Sequence, residues 1–351
     1  MSRDDLFELG HPSVHKEGWP TPNPTHLRRL TDHRGLWEHA RYSNPRREHG
    51  YCTEDNARAL VVVSHDDGSE LADLASIYLG FVIAARKRSG IFRNRRDAEG
   101  VWADEQGSDD SQGRAWWGLG ATARYGPEEW MRAAACDEFD TCSTFESTHL
   151  RPNAYAAMGA ADVVENGQAP QAAVDLLDRS SGLIADAARS AIPWPEWRLT
   201  YDNARIPEAL IAAGFALGDE RRTALGIRLL EWLTGNECLG DRFSFTPVGG
   251  RNLGDRGPAF DQQPIEAWAT ADACHRAWSV TGDSKWRRLA LLSGAWLMGR
   301  NDSETVLYDK ATGGTFDGLT ARGVNANQGA ESTLAGLGTL QVAANCLGDV
   351  N

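Results

Sequence analysis

The chain has 351 residues, 41% of them hydrophobic, with a mean hydropathy of −0.45 and a formal net charge of −13. That apolar content supports a large core, while the negative charge opposes phosphate backbones and anionic lipid, so nucleic acid is not an expected partner. No run of about 18 apolar residues is present to span a bilayer, and the opening residues Met1–Phe7 lack a hydrophobic export core, so a cytoplasmic chain is expected.

In chain order, residues 1–23 carry no periodicity and read as an irregular segment, and a first helix is expected near Thr25–Ala40. Six later stretches, Glu54–Ser64, Asp109–Tyr125, Leu150–Asn166, Asp202–Leu217, Asp261–Val280 and Asn327–Leu347, are rich in Ala, Gly and aromatics and carry little charge beyond their first turns. Small residues on several faces mean helices packed on all sides, hence an inner layer. Two-faced helices alternate with them. Ser69–Arg88 places Leu71, Leu74, Tyr78 and Val82 on one stripe, and Asp283–Arg300 does so with Trp286, Leu289, Trp296 and Leu297. Ser and Asp are the expected N-caps.

The inner starts recur at a spacing of roughly 50 residues, which is two helices plus their connections. Six such hairpins close into an all-α (α/α)6 barrel, expected as a single domain over residues 1–351. The connections Gly90–Ser108, Gly240–Phe260 and Tyr308–Val324, with β-prone pieces such as Arg242–Thr246, are expected to gather as a rim. Six cysteines (Cys52, Cys136, Cys142, Cys238, Cys274, Cys346) show no C-x-x-C pair and read as buried free thiols.

The most informative motif is Asp-Asn-Ala-Arg, which occurs at Asp55–Arg58 and again at Asp202–Arg205. Related polar starts are Asp110–Arg114 (with Gln112), Asp261-Gln262-Gln263 (with Glu266), and Asn327-Gln328 (with Glu331). Asp near a helix start satisfies free N–H groups, and Arg one turn on pairs with it. Capping alone does not need the added amides and guanidinium groups, so a shared polar cavity is expected. The first and fourth of six inner helices stand opposite each other, with axes about 10 Å apart between neighbours and roughly 20 Å across. Their carboxylates are then expected roughly 8–12 Å apart once the backbone radii are removed, compatible with the about 6.5–9.5 Å of an inverting glycosidase.

Asp110 or Asp202 is expected as one essential carboxylate, with Asp55 or Glu331 as its partner. Dipole-positive starts favour ionised Asp110, Asp202 and Asp55, and depth favours protonated Glu331. Asp109-Asp110 reads as one cap plus one acid. Trp116 or Trp117 is expected to face the cavity. Pro193–Trp197 is a stiff rim segment, offering Trp194 or Trp197 as a sugar platform and Glu196 as a hydroxyl acceptor, just before Tyr201. Tyr51, Asn56, Arg58, Gln112, Arg114, Asn203, Arg205, Asp261, Gln262, Gln263, Glu266, Asn327 and Gln328 complete the expected binding set, because amides suit neutral polyols.

The alternating helices, polar inner starts and 13 Trp residues resemble the six-hairpin glycosidase superfamily. The strings Gly50–Arg58 and Asn327–Thr333 are also similar to helical segments of bacterial chains loosely described as glycosyltransferases. The resemblance implies a glycoside hydrolase-like enzyme acting on a carbohydrate with paired carboxylates. A phosphorylase or lyase, with Arg251 and Arg256 as phosphate ligands, and a non-catalytic glycan- or partner-binding domain remain open alternatives. His149 is the one His near an inner start and His275 lies late on its helix, which counts against the epimerases of this architecture. No zinc-type His spacing and no phosphate-binding loop occur, so neither metal nor cofactor is expected.

Overall fold

The structure, a computed structural model, describes residues 18–66, 71–167, 169–190 and 193–348. Most of the segment expected to be irregular, and the expected cap Ser69, lie outside the described residues. Twelve α-helices occur among them: α1 (Thr25–Leu30), α2 (Thr53–Ser64), α3 (Ala72–Ala85), α4 (Asp109–Tyr125), α5 (Glu129–Glu138), α6 (Leu150–Glu165), α7 (Gln171–Ser190), α8 (Arg205–Leu217), α9 (Glu220–Glu237), α10 (Pro264–Thr281), α11 (Ser284–Leu297) and α12 (Ala330–Gly348). The even-numbered helices form a ring in which each touches the next and α12 closes on α2. Helices α3, α5, α7, α9 and α11 each pack against the inner helix before them, and α1 backs α12. This is an all-α (α/α)6 barrel.

Composition explains the layers. Every residue of α6 from Arg151 to Val163 is buried, whereas α7 buries Ala173, Leu176, Leu177, Ser180, Ile184 and Ala188 at helical spacing and leaves its other face wet. Glycine sets the tightest seam. A Cβ on Gly120 would stand 2.1 Å from the Gly159 carbonyl oxygen, and one on Gly159 would stand 2.1 Å from that of Trp116. Helices α4 and α6 therefore meet backbone to backbone, which no larger residue permits.

The first helix is shorter than the sequence suggests. It ends at Leu30 because the chain turns at Asp32, whose Oδ1 accepts the Arg34 N–H at 2.8 Å, and Thr31-Asp32 then pairs antiparallel with Gly35-Leu36. Three inner helices start three residues later than expected. In α8, Pro207 is the third helical residue, and an earlier start would drive its ring against the Asn203 carbonyl. In α10, Pro264 is itself the first residue. Before α12, the N–H groups of Gln328, Gly329 and Ala330 are taken by Tyr42, Asp317 and Glu38 of the rim. Asp202, Asp261 and Asn327 thus lie in loops.

The rim connections form short two-stranded ladders, as their β-prone composition suggests. Tyr51-Cys52 pairs with Arg95-Arg96, Arg198-Leu199 with Arg251-Asn252, and Gly318–Thr320 with Gly323–Asn325. They surround the end of the barrel where the inner helices begin, the near mouth. The inner helices finish at the far mouth.

Candidate functional site

A cavity of about 300 Å³ opens at the near mouth between α2 and α12, walled by Glu38, His39, Glu54, Arg58, Asp317 and Glu331 among others. Arg58 organises it. Its Nη1 donates to Asp55 Oδ1 at 2.6 Å, and its Nη2 donates to Glu331 Oε2 at 2.7 Å and lies 3.8 Å from Glu54 Oε2. The helix N-terminus is closed by Cys52, whose sulfur accepts the Asp55 N–H, so Asp55 is free to use its carboxylate on Arg58. Glu54 is held by Asn94 Nδ2 at 3.2 Å and Ser108 Oγ at 3.1 Å.

The carboxylates of this cavity titrate apart. Burial pushes Glu54 up, but Arg58 and Arg114 outweigh it and hold the group below its ordinary value. Glu331 lies in a concave mouth where solvent still reaches 36% of its side chain, yet surrounding protein raises its pKa against the pull of Arg58. Asp55 is raised by burial, with Arg58 opposing and Glu38 adding to the rise. Three carboxyl groups therefore share Arg58, with Glu54 shifted down and Asp55 and Glu331 shifted up.

Below the cavity lies a sealed layer. Asp202 is wholly buried and has φ of 50°, a left-handed conformation that costs energy in a non-glycine residue. Its Oδ2 accepts from Tyr155 Oη at 2.6 Å and Arg114 Nη2 at 3.0 Å, and its N–H donates to the Glu266 carboxyl group. Burial pushes Asp202 up, but Arg114, Arg205 and the Tyr155 hydroxyl bring it below its ordinary value. Glu266 moves the opposite way, driven well up by burial and by the nearby Glu237 and Asp202. Arg205 points down the barrel axis, sandwiched between the rings of Trp117 (4.5 Å) and Trp268 (4.9 Å), and bonds Glu208 at 2.7 Å and Asp272 at 2.6 Å.

The rim carries the adjacent aspartates. Ser108, not either Asp, caps α4 by accepting the Ser111 N–H at 3.1 Å. Asp109 is left to accept from Ser147 Oγ at 2.6 Å and Asp110 from Tyr201 Oη at 2.7 Å. Arg151 clamps Glu196 with two bonds of 2.8 and 2.9 Å, reaches Asn203 Oδ1 at 2.9 Å and lies over the Tyr201 ring. Trp194 is buried against Trp232, while Trp197 is the open ring, 77% exposed. Asn327 lines an open groove of about 620 Å³ with exposed Tyr42, and Asn325 belongs to both this groove and the cavity.

Several other expected binding residues are tied up in the scaffold. Tyr51 is buried on Trp37 and donates to Asp32; Asn56 brackets Leu36 and Cys52; Gln112 brackets the backbone of Phe92. Gln262 uses its amide on Phe245, Trp296, Ala259 and Asp302. Gln328 is buried behind Gly314, Asp261 is exposed, and Gln263 lines the cavity. Trp116 turns outward onto Phe92 and Phe139, and Trp117 is the ring inside the barrel. Arg251 is buried, donating to the Phe245 carbonyl, and Arg256 is exposed; neither lines the cavity. Glu38, His39, Glu54, Arg95 and Asp317 were not singled out from the sequence. A second carboxylate next to Asp55 was the available signal for Glu54. The others sit in rim ladders and loops with no helical pattern to mark them.

Glu38, Cys52 and Asp55 bring metal-type ligand atoms within 4.8 Å of one another. The Cys52 thiol, however, donates to Asp55 Oδ2 at 3.1 Å, and burial drives it well above its ordinary value, which disfavours the thiolate a soft metal needs.

No protein-family model and no curated protein sequence matches the chain. Solved structures do. A sugar epimerase from a ruminal bacterium matches with a TM-score of 0.67 at 13% identity, covering 92% of this chain and 95% of that one. The likeness runs over nearly the whole chain and is one of fold, the (α/α)6 barrel. Cellobiose 2-epimerase from Bacillus thermoamylovorans matches with a TM-score of 0.67 at 12% identity, covering 92% and 95% of the two chains. An inactive variant of an α-1,6-mannanase from a Salegentibacter species, with two adjacent Asp→Asn substitutions and α-1,6-mannotriose bound, matches with a TM-score of 0.62 at 11% identity over 92% and 96%.

Proposed function

We propose that this barrel is a carbohydrate-active enzyme that cleaves or transfers a glycosidic bond at its near mouth. The observation carrying this reading is the pair Glu54 and Glu331, set on one guanidinium and shifted in opposite directions. Groups whose environments separate their protonation states are suited to base and acid roles. Glu331 is the proton donor in this reading, Glu54 the ionised partner in the cavity, and Asp110 a carboxylate at the rim. The cavity is at the low end of ligand pockets, about 300–1,000 Å³, and suits one sugar ring, with the Tyr42 groove continuing toward further rings. The Asp109-Asp110 pair adds support, because two adjacent aspartates are the residues replaced in the inactive mannanase.

The test is turnover on manno- and gluco-oligosaccharides by the wild type, Glu331→Gln, Glu54→Gln and Asp110→Asn. Loss of about 10²–10⁴ in kcat in at least Glu331→Gln, with the fold intact, is expected of an acid or base. Rates within a few-fold of wild type in all three would overturn the reading. Sugar binding without turnover by the wild type would favour a glycan-binding module. His39, on the cavity wall and 3.8 Å from Glu38, favours one second reading, proton transfer at a sugar carbon as in epimerisation. Solvent deuterium incorporated at a sugar carbon, and lost in His39→Ala, would select it.

A further inference from the structure

The far mouth holds a cavity of about 580 Å³, larger than the near-mouth cavity and built largely from the C-terminal halves of α2, α4, α6, α10 and α12, with Glu208 reaching it from the first turn of α8. Among the described residues its wall carries five carboxylates, Asp66, Asp162, Glu165, Glu208 and Asp272, against the two guanidinium groups of Arg124 and Arg276. Arg205 adds a third cation from the barrel axis. The inner helices end here, so their negative dipole ends add to the excess of acid.

The pairing within this cluster is incomplete. Asp162 is 3% exposed, its Oδ1 accepts no hydrogen bond, and its nearest cation, Arg124 Nη1, is 3.5 Å away. Glu165 Oε1 likewise accepts none, with Arg276 at 3.8 Å, while its Oε2 is held by Arg124 at 2.7 Å. Buried acceptor oxygens without a hydrogen bond call for a donor, and five carboxylates against three guanidinium groups favour a charged one. A metal ion is the wrong size. Among the described residues the one group of three metal-type ligands within 4.8 Å is at the near mouth, so the far-mouth carboxylates do not converge on a point. Tyr125, half exposed beside His65, supplies an aromatic edge, and Val61, Val62 and Val342 supply an apolar wall.

We propose that the far mouth is a second ligand site, separate from the chemistry of the near mouth, and that it takes a small organic cation with a primary ammonium group on an aliphatic stem. The ammonium group donates to Asp162 and Glu165, and the stem lies along the valine wall.

Putrescine, spermidine and the neutral isostere 1,4-butanediol are titrated by calorimetry into the full-length protein. One saturable site for the amines and none for the diol is expected. Asp162→Asn is expected to weaken amine binding at least tenfold. Because that group is buried, exposed rim positions provide an independent variant. Ser279→Lys with Asn345→Lys places two cations at the opening and is also expected to weaken binding at least tenfold, with unchanged thermal denaturation. Glu331→Gln, at the opposite mouth, should leave amine binding within twofold of wild type, whatever it does to turnover. No saturable amine binding, equal binding of the diol, or indifference to the rim lysines would overturn the proposal.

Discussion

The two Asp-Asn-Ala-Arg segments have identical residues and different structures. In the first, all four residues lie within α2, and the Asp55–Arg58 pair faces a cavity and reaches Glu331. In the second, the helix starts only at Arg205, Asp202 is sealed in a left-handed turn, and Arg205 points along the barrel axis to Glu208 and Asp272. The difference comes from outside the motif. Cys52 caps the first helix early, and Pro207 delays the second. A short motif therefore specifies which charges are present, while its neighbours specify where they point.

The largest expected effect separates the two arginines. Arg205→Met strands the buried Asp202 and Glu208 and the partly buried Asp272 and should cost about 3–5 kcal/mol in chemical denaturation. Arg58→Met should cost less, about 1–3 kcal/mol, because Glu331 still reaches cavity water. Equal losses would break the comparison. A gentler pair sharpens it: Arg58→Lys keeps the charge but loses the fork that spans Asp55 and Glu331, and kcat should fall about tenfold with stability little changed.

The pH dependence of the two aspartates should run in opposite directions. The folded-state pKa of Asp202 is depressed, so its contribution is present above the unfolded carboxylate value of about 3.9 and is lost as pH falls through the folded value. That of Asp55 is raised, so its contribution is full below the unfolded value and is lost as pH rises through the folded one. Urea midpoints between pH 3 and pH 7 should therefore show Asp202→Asn with a reduced acid loss and Asp55→Asn with a gain over wild type toward neutral pH. Parallel profiles would mean that the two sites are electrostatically alike. The smallest effect is expected on the rim: Trp197→Ala should change stability by no more than about 0.5 kcal/mol, and a KM raised several-fold for oligosaccharides would mark its ring as a platform.

Much of the fold was legible because layers differ in composition. The Ala- and Gly-rich runs Asp109–Tyr125 and Leu150–Asn166 contain the inner helices α4 and α6, and the striped run Asp283–Arg300 contains the outer α11. The register of three inner starts was not legible, because rim loops and prolines, acting through contacts distant in sequence, decide where a polar start ends and a helix begins. Residue types at the candidate site were legible and their orientation was not. Gln112 and Gln262 look like hydroxyl-binding amides in sequence, yet they close backbone hydrogen bonds of neighbouring loops. Glu38 and His39 stand in a loop whose place on the cavity wall depends on backbone pairing with Gly50 and Ala330.

The Arg58–Glu331 contact joins residues 273 positions apart. It closes the ring between the first and last inner helices, so the cavity wall has no counterpart in any partial fold. A chain emerging from the ribosome can build α2 to α10 in succession, yet it holds Arg58 and Asp55 without their distant partner until α12 is made. Closing so long a loop is entropically costly and slow relative to local helix packing. Maturation of the near mouth thereby waits on the synthesis of α12, and fragments cut short of it should lack this wall of the cavity.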